Sequence, residues 1–148
     1  MQKAIFINLP VSDVARSTAF YEALGFEKNP SFSNEHGSGM VWSDSINVML
    51  LDRAFYSTFT PKKIIDAHTE TQALFALSFD DRTAVDAITQ AAIAAGGREA
   101  HEAEDQGFMY SRAFEDLDGH GWGPFCMDVA AFVAPQPDQA GRAEQAAA

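Results

Sequence analysis

The stretch FEDLDGHGW at residues 114–122 places two aspartates, a glutamate and a histidine around one glycine. Such a stretch is either a metal site or a turn between two strands. Aspartate side chains such as those of Asp116 and Asp118 often form hydrogen bonds with the nearby backbone in turns. A glycine such as Gly119 readily adopts the positive φ of a tight turn. An EF-hand loop needs further oxygen ligands and a glutamate at its twelfth position, which are missing here. The pattern therefore predicts a turn.

The composition predicts an acidic globular chain. Its 148 residues are 47% hydrophobic, and ten basic against twenty-one acidic residues give a net charge of −11. This charge argues against nucleic acid and anionic membranes as partners. The N-terminal residues have no apolar stretch long enough for a signal peptide, so we expect none, and no apolar run approaches the length of a membrane span. The single cysteine, Cys126, predicts a buried thiol in a reducing compartment, so we expect a cytoplasmic protein.

The chain repeats one plan of a strand, a helix and three strands. Leu9 precedes Asp13 by four residues, and Leu77 precedes Asp81 by the same spacing, 68 residues further on. This internal repeat predicts an α+β fold of two βαβββ units. The predicted domain spans residues 1–133, with repeats 3–51 and 73–129 and a linker at 52–72. Residues 134–148 lack large apolar side chains and are predicted to be a disordered tail.

Local signals set the predicted helices. Ser12 or Asp13 begins the first helix, and Asp80 or Asp81 begins the second. Thr60 followed by proline predicts a further helix start in the linker. The linker aromatics Phe55, Tyr56 and Phe59 either close over a pocket or pack on a sheet.

The repeated plan, the stretch INLPVSDVARSTAFYEALGF and the closing FEDLDGHGW together resemble the vicinal oxygen chelate superfamily of glyoxalases, bleomycin resistance proteins and dioxygenases. Within it, the predicted lactoylglutathione-lyase-related proteins are the most similar. The resemblance covers about residues 3–129. It implies two curved half-barrels around a cavity, usually in a homodimer. In catalytic members this cavity holds a divalent metal, which binds two substrate oxygens and stabilises the oxyanion that develops.

The resemblance also places four metal-ligand positions, two in each repeat. They fall at Phe6, at Met49 with Val48 or Leu50 as alternatives, at Leu74, and at Gly123 after DGHGW. These residues offer no imidazole or carboxylate, and the methionine thioether is a soft ligand suited to copper(I). We therefore expect no metal and no other cofactor. The four histidines, His36, His68, His101 and His120, are expected in loops or at strand ends.

Strand alternation predicts which other side chains share the cavity with those positions. The predicted lining adds these residues: Asn8, Asn47, Ser78 and Phe125, and from neighbouring strands Met40, Trp42, Phe108, Tyr110 and Arg112. The lining is mainly apolar and aromatic, which is typical of a small-molecule pocket. The alternative is that these side chains fill an ordinary core.

Three functions stay open at this point. The first is a metal-free, bleomycin-resistance-like homodimer that binds a small apolar or aromatic molecule, and the missing ligand donors favour it. The second is a glyoxalase-like lyase or isomerase that acts on a carbonyl or thiol adduct. Asn8, Tyr110 and Arg112 leave room for metal-independent catalysis of that kind. The third is a structural dimer without a ligand.

Overall fold

The computed structural model describes residues 2–128, which form two halves of like organisation. The first half contains β1 Ile5–Val11, α1 Val14–Ala23, β2 Glu27–Asn34, β3 Gly37–Val41 and β4 Ile46–Asp52. A short helix, α2 Arg53–Tyr56, and a 3-10 turn, Ser57–Phe59, follow. The second half contains β5 Leu74–Phe79, α3 Arg82–Ala94, β6 Arg98–Asp105, β7 Met109–Glu115 and β8 Gly121–Met127. The tail predicted at 134–148 and the last five residues of the predicted domain lie outside the described residues.

The two halves have the same sheet topology. The strand order is β1-β4-β3-β2 in the first sheet and β5-β8-β7-β6 in the second. The first strand of each half pairs in parallel with the last, and the remaining pairs are antiparallel. The predicted α+β class with two βαβββ repeats is confirmed. Within residues 2–128 both sheets stay open rather than closing into a barrel, and no helix there is long and apolar enough to cross a membrane.

The helices begin where the sequence predicted. Of the two alternatives at each start, Asp13 and Asp81 are the capping residues, since their carboxylates accept the amides of Arg16 and Ala84 at 3.0 and 2.8 Å. These bonds satisfy amides that lack partners within the first helical turn.

The predicted helix start at Thr60 is wrong. Thr60 is extended, with φ −152° and ψ 141°, and no helix follows it. The helical turn begins earlier, because the Asp52 carboxylate accepts the amide of Phe55 at 2.7 Å. Of the linker aromatics, Phe55 and Phe59 stay exposed and pack on each other with ring centroids 5.2 Å apart.

One hydrophobic core joins the two halves. It lies on the side of each sheet that faces the helices, and it includes Phe20, Tyr21 and Phe26 from the first half and Phe114 and Trp122 from the second. The Tyr21 and Trp122 rings meet at 5.9 Å between centroids. Cys126 is half-buried rather than fully buried as expected. Since the core covers the helix-facing sides, the opposite side of each sheet, which we call its open face, points away from it.

The FEDLDGHGW stretch is the predicted turn. The Gly119 amide donates to the Asp116 carbonyl at 3.1 Å, and Gly119 has a φ of +92°. Only glycine adopts that φ at no steric cost. The Asp116 carboxylate accepts the amides of Asp118 and His120 at 3.0 and 2.8 Å. The prediction of a turn is therefore confirmed.

The same turn connects the two halves. The Tyr21 hydroxyl donates to the second oxygen of Asp116 at 2.5 Å and accepts from the indole nitrogen of Trp122 at 3.0 Å. Asp118 accepts the Ser12 amide at 2.9 Å, and the imidazole Nε2 of His120 donates to the Pro10 carbonyl at 2.8 Å. These bonds join the turn before β8 to the junction of β1 with α1.

Burial changes the titration of the central pair. Desolvation raises the pKa of Asp116, while the Tyr21 hydroxyl and the amides of the turn counteract part of that rise. Desolvation and the nearby charge of Asp116 raise the pKa of Tyr21 well above its usual range. The hydroxyl is therefore a fixed hydrogen-bond donor near neutral pH, and both oxygens of Asp116 are occupied.

We predict that Tyr21→Phe destabilises the fold by about 1–3 kcal/mol, because it leaves a buried carboxylate oxygen and an indole N–H unpaired. Equilibrium denaturation with urea measures this change. Tyr56→Phe is the matched control, since the Tyr56 hydroxyl has no hydrogen bond within the described chain, and a change below about 0.5 kcal/mol is expected there. Equal stability of the two variants would contradict the account.

Candidate functional site

The four positions implied as metal ligands lie on the open faces of two different sheets. Phe6 is on β1 and Met49 on the adjacent β4, where Asn8 pairs with Met49. Leu74 is on β5, and Gly123 is on the adjacent β8. Phe6 is 51% exposed and Leu74 is 79% exposed, so neither contributes to the core.

The open face of the first sheet carries part of the predicted lining. Asn8 and Asn47 flank the Phe6 and Met49 positions on the paired strands. The Phe6 ring contacts Phe32 edge to face, with centroids 6.4 Å apart. These side chains form a shallow aromatic surface that solvent reaches.

Four predicted lining residues point elsewhere, and their assignment to the cavity is wrong. The fifth residue from the neighbouring strands, Arg112, lines the cleft described below, although its side chain turns towards α3. Met40 is fully buried in the core, and Trp42 packs on Phe26 and Phe79. The other two, which lie on the α3 side of the second sheet or beside it, are Phe108 and Tyr110. The cause is the register between strands.

Two register pairs show this cause. Met40 pairs with Val48 of the core, and Tyr110 pairs with Cys126 rather than with Phe125. Directly paired residues project to the same side of a sheet. Alternation along one strand therefore predicted the correct face for β1, β4, β5 and β8 but not for their neighbours.

Tyr110 and Arg112 have a structural role on that side. The Tyr110 hydroxyl and the Arg112 guanidinium both donate to the same oxygen of Asp86 on α3, at 2.7 and 3.1 Å. The bond from Tyr110 is the main reason that the pKa of Asp86 lies below its usual value. Arg112 also pairs with Glu99. This network ties α3 to β6 and β7, away from the open face.

The open face of the second sheet forms a cleft of about 530 Å³. Its floor consists of small residues on neighbouring strands: Ala76 pairs with Gly123, and His101 at the far edge pairs with Ala113. A Cβ atom built on Gly123 would meet nothing nearer than the Arg112 carbonyl oxygen at 3.8 Å. The missing side chains therefore create the depth of the cleft.

Linker residues and strand ends form the rim of this cleft. His68, Thr69, Glu70 and Thr71 line one side, and His101 and Glu104 line the other. His101 and Glu104 lie 3.9 Å apart. A small-residue floor with a few polar groups around it is the usual composition of a site for a small organic molecule.

Sequence reasoning missed most of this lining. Leu74, Arg112 and Gly123 were predicted, whereas Ala113, Gly121 and the linker residues 67–71 were not. Ser78 and Phe125 pair on the same face beyond the cleft. A signal was present, because Gly121 and Gly123 alternate on β8 and Ser111 and Ala113 alternate on β7, which predicts a face without side chains.

The histidines have different partners, and two of them, His68 and His101, line the cleft. His36 pairs with Asp52, and this hydrogen bond raises its pKa. His101 donates to the carbonyl of Glu102 at 2.9 Å, and His120 is held by Pro10. Within residues 2–128, no group of three or more histidine, cysteine, aspartate or glutamate side chains is arranged to hold a metal ion.

Comparison with known proteins supports the resemblance. Residues 3–41 match the family described as bleomycin resistance protein-like N-terminal. The described fold is similar to hypothetical protein SA1046 from S. aureus, with 24% identity, a TM-score of 0.72, and 85% of this chain and 95% of that chain covered. The fold is also similar to a glyoxalase/bleomycin resistance protein/dioxygenase family enzyme from Burkholderia phytofirmans PsJN. The two chains are 18% identical, the TM-score is 0.69, and 85% of this chain and 99% of that chain are covered. For the fosfomycin resistance protein FosX from Listeria monocytogenes, the identity is 18% and the TM-score is 0.61, with 94% of this chain and 98% of that chain covered.

The described fold is the one found in solved glyoxalase and bleomycin resistance family structures. The match of residues 3–41 and this shared fold agree with the resemblance to the vicinal oxygen chelate superfamily that the sequence predicted. No curated protein matches the chain. Because the solved structures are less than 25% identical to it, they show its fold and not its activity.

Proposed function

We propose that this chain binds a small apolar or aromatic molecule in the cleft of the second sheet and does so without a divalent metal. The main support for this proposal is the cleft, which has a volume of about 530 Å³ over a floor of alanine and glycine on adjacent strands. Its volume lies in the range of small-molecule sites. Leu74, 79% exposed beside that floor, would lose contact with water when a ligand covers it.

The side chains at the four ligand positions support binding without a metal. Phe6, Leu74 and Gly123 have no lone pair to donate, and Met49 offers a soft thioether. Zn²⁺, Ni²⁺ and Mn²⁺ prefer imidazole, carboxylate or thiolate ligands. Burying a divalent cation without such ligands would cost far more than contact with one thioether returns.

A glyoxalase-like lyase or isomerase of the lactoylglutathione-lyase-related type is the second candidate. One observation favours it: His101 and Glu104, 3.9 Å apart, line the cleft and could serve as a general base. Turnover of a hemithioacetal that is lost in His101→Gln but retained in His36→Gln would support this candidate over a dedicated binding protein.

The exposed aromatic residues support a homodimer. Phe6 is 51% and Phe32 58% exposed on the first open face. Apolar side chains grouped on a sheet face are typical of an interaction surface. A second copy of the chain would cover this face with two-fold symmetry. The single cysteine is the reason that we propose a cytoplasmic location for this dimer.

We predict that a library of aromatic molecules and thiol conjugates contains ligands that raise the melting temperature, because a ligand specific for the native state stabilises it. At a concentration one hundred times the Kd, the expected stabilisation is about 2.7 kcal/mol. Thermal shift assays measure this effect.

Gly123→Leu should abolish the ligand-induced shift, because the new side chain fills the floor of the cleft where a Cβ fits freely. Ala103→Leu is the matched control, since Ala103 is exposed on β6 and does not line the cleft. No response across the whole library would favour a structural dimer without a ligand. A shift that persists in Gly123→Leu would place the site elsewhere.

We predict a dimer of about twice the 16.1 kDa chain mass in analytical ultracentrifugation at micromolar concentration. The double variant Phe6→Glu/Phe32→Glu should shift the population to monomer by at least about tenfold in Kd, since buried unpaired carboxylates are unfavourable. Phe59→Glu is the control, because Phe59 is 63% exposed but lies off both sheets. A single species near 16 kDa in the unchanged protein would contradict the proposal.

A further inference from the structure

A second cavity, of about 600 Å³, lies between the linker and the adjoining strands, and we call it the linker cavity. Its lining comprises Ile7, Asn8, Leu9 and Pro10 of β1; Tyr56, Thr60, Lys62, Lys63, Ile64, Ile65 and Ala67 of the linker; and Glu70, Thr71, Gln72, Ala73, Phe75, Gly119, His120 and Gly121. Six of these residues also line the cleft: Ala67, Glu70, Thr71, Phe75, Gly119 and Gly121. The two sites therefore adjoin and share one wall.

The inner wall of the linker cavity is apolar. Ile7 and Leu9 project from β1 on its core side, Phe75 projects from β5, and Ile64 and Ile65 come from the linker. All five side chains are buried or half-buried. A ligand with a hydrocarbon or aromatic body would contact aliphatic and aromatic carbon along this wall.

Two adjacent cations, Lys62 and Lys63, also line the cavity. Both side chains are exposed, and neither has an ion pair within the described part of the chain. Glu70 is the carboxylate in the lining, and His120 already donates to Pro10. Two ammonium groups therefore face one carboxylate in a protein of net charge −11. The lining therefore has an excess of one positive charge, which favours an anionic ligand at this site in an otherwise acidic protein.

Hydrogen bonds and close packing hold the linker in place. The Thr60 hydroxyl accepts the Lys62 amide at 3.2 Å, which orders the turn that carries the two lysines. Further along, the Ala67 backbone rests on Gly119, where an added Cβ would approach the Ala67 carbonyl carbon to 2.7 Å. The cavity wall is therefore anchored at both ends.

We propose that the linker cavity is a second ligand site, distinct from the cleft, which binds an organic acid with an apolar body. The hydrocarbon or aromatic part lies against Ile7, Ile64 and Phe75. The carboxylate lies at the mouth of the cavity with Lys62 and Lys63. The neutral amide of Gln72 is available to its second oxygen.

Isothermal titration calorimetry with 2-naphthoate and its neutral analogue 2-naphthamide tests this proposal. The acid should bind about fivefold more tightly than the amide, as expected for exposed charge pairs, and its advantage should shrink as sodium chloride is raised. Lys62→Gln/Lys63→Gln should remove that advantage. Lys3→Gln/Lys28→Gln is the matched control, because it removes the same charge from exposed lysines outside the cavity.

The Gly123→Leu variant separates this site from the cleft. It fills the cleft floor and leaves the linker cavity unchanged, so naphthoate should bind it as it binds the unaltered protein. Three results would overturn the proposal: equal affinity for acid and amide, unchanged affinity in Lys62→Gln/Lys63→Gln, or loss of naphthoate binding in Gly123→Leu. Absence of any binding at millimolar naphthoate would overturn it as well.

Discussion

The Tyr21 hydroxyl, held between the Asp116 carboxylate and the Trp122 indole, is the contact on which the arrangement of the two halves depends. All three groups are buried, so each bond is made in a medium where an unpaired partner would be costly. The contact fixes the turn before β8 against α1. It also directs the helix-facing sides of both sheets into one core and leaves both open faces outward.

The turn therefore combines acidic residues with a structural role. The carboxylates of Asp116 and Asp118 accept hydrogen bonds from the Tyr21 hydroxyl, from backbone amides and from the Ser17 hydroxyl. The His120 ring donates to a backbone carbonyl. Both oxygens of the buried Asp116 carboxylate therefore accept hydrogen bonds from the protein. Directly after the turn, β8 begins at Gly121. Gly121 and Gly123 line the cleft, and their lack of side chains opens it. One short segment thus connects the halves and shapes the binding surface.

Local patterns in the sequence were sufficient for the repeat, the helix caps at Asp13 and Asp81 and the turn at Gly119, because spacing and backbone chemistry determine these features. The sheet face to which the side chains of Met40, Tyr110 and Arg112 point could not be predicted, because it depends on the pairing register of neighbouring strands. The bond from Tyr21 to Asp116 joins residues 95 apart in sequence. Likewise, the two linker lysines became a candidate site only when the fold placed them beside Ile7 and Phe75.

Binding in the cleft without a metal is the central claim of this account. Its most direct test is the Kd of the best cleft ligand, measured by calorimetry before and after exhaustive dialysis against a chelator, and again after addition of Ni²⁺, Zn²⁺ or Mn²⁺. Since the side chains of Phe6, Leu74 and Gly123 offer no donor atoms, we predict the same Kd in every case. Loss of binding after chelation, with recovery on addition of one equivalent of a divalent metal, would contradict it.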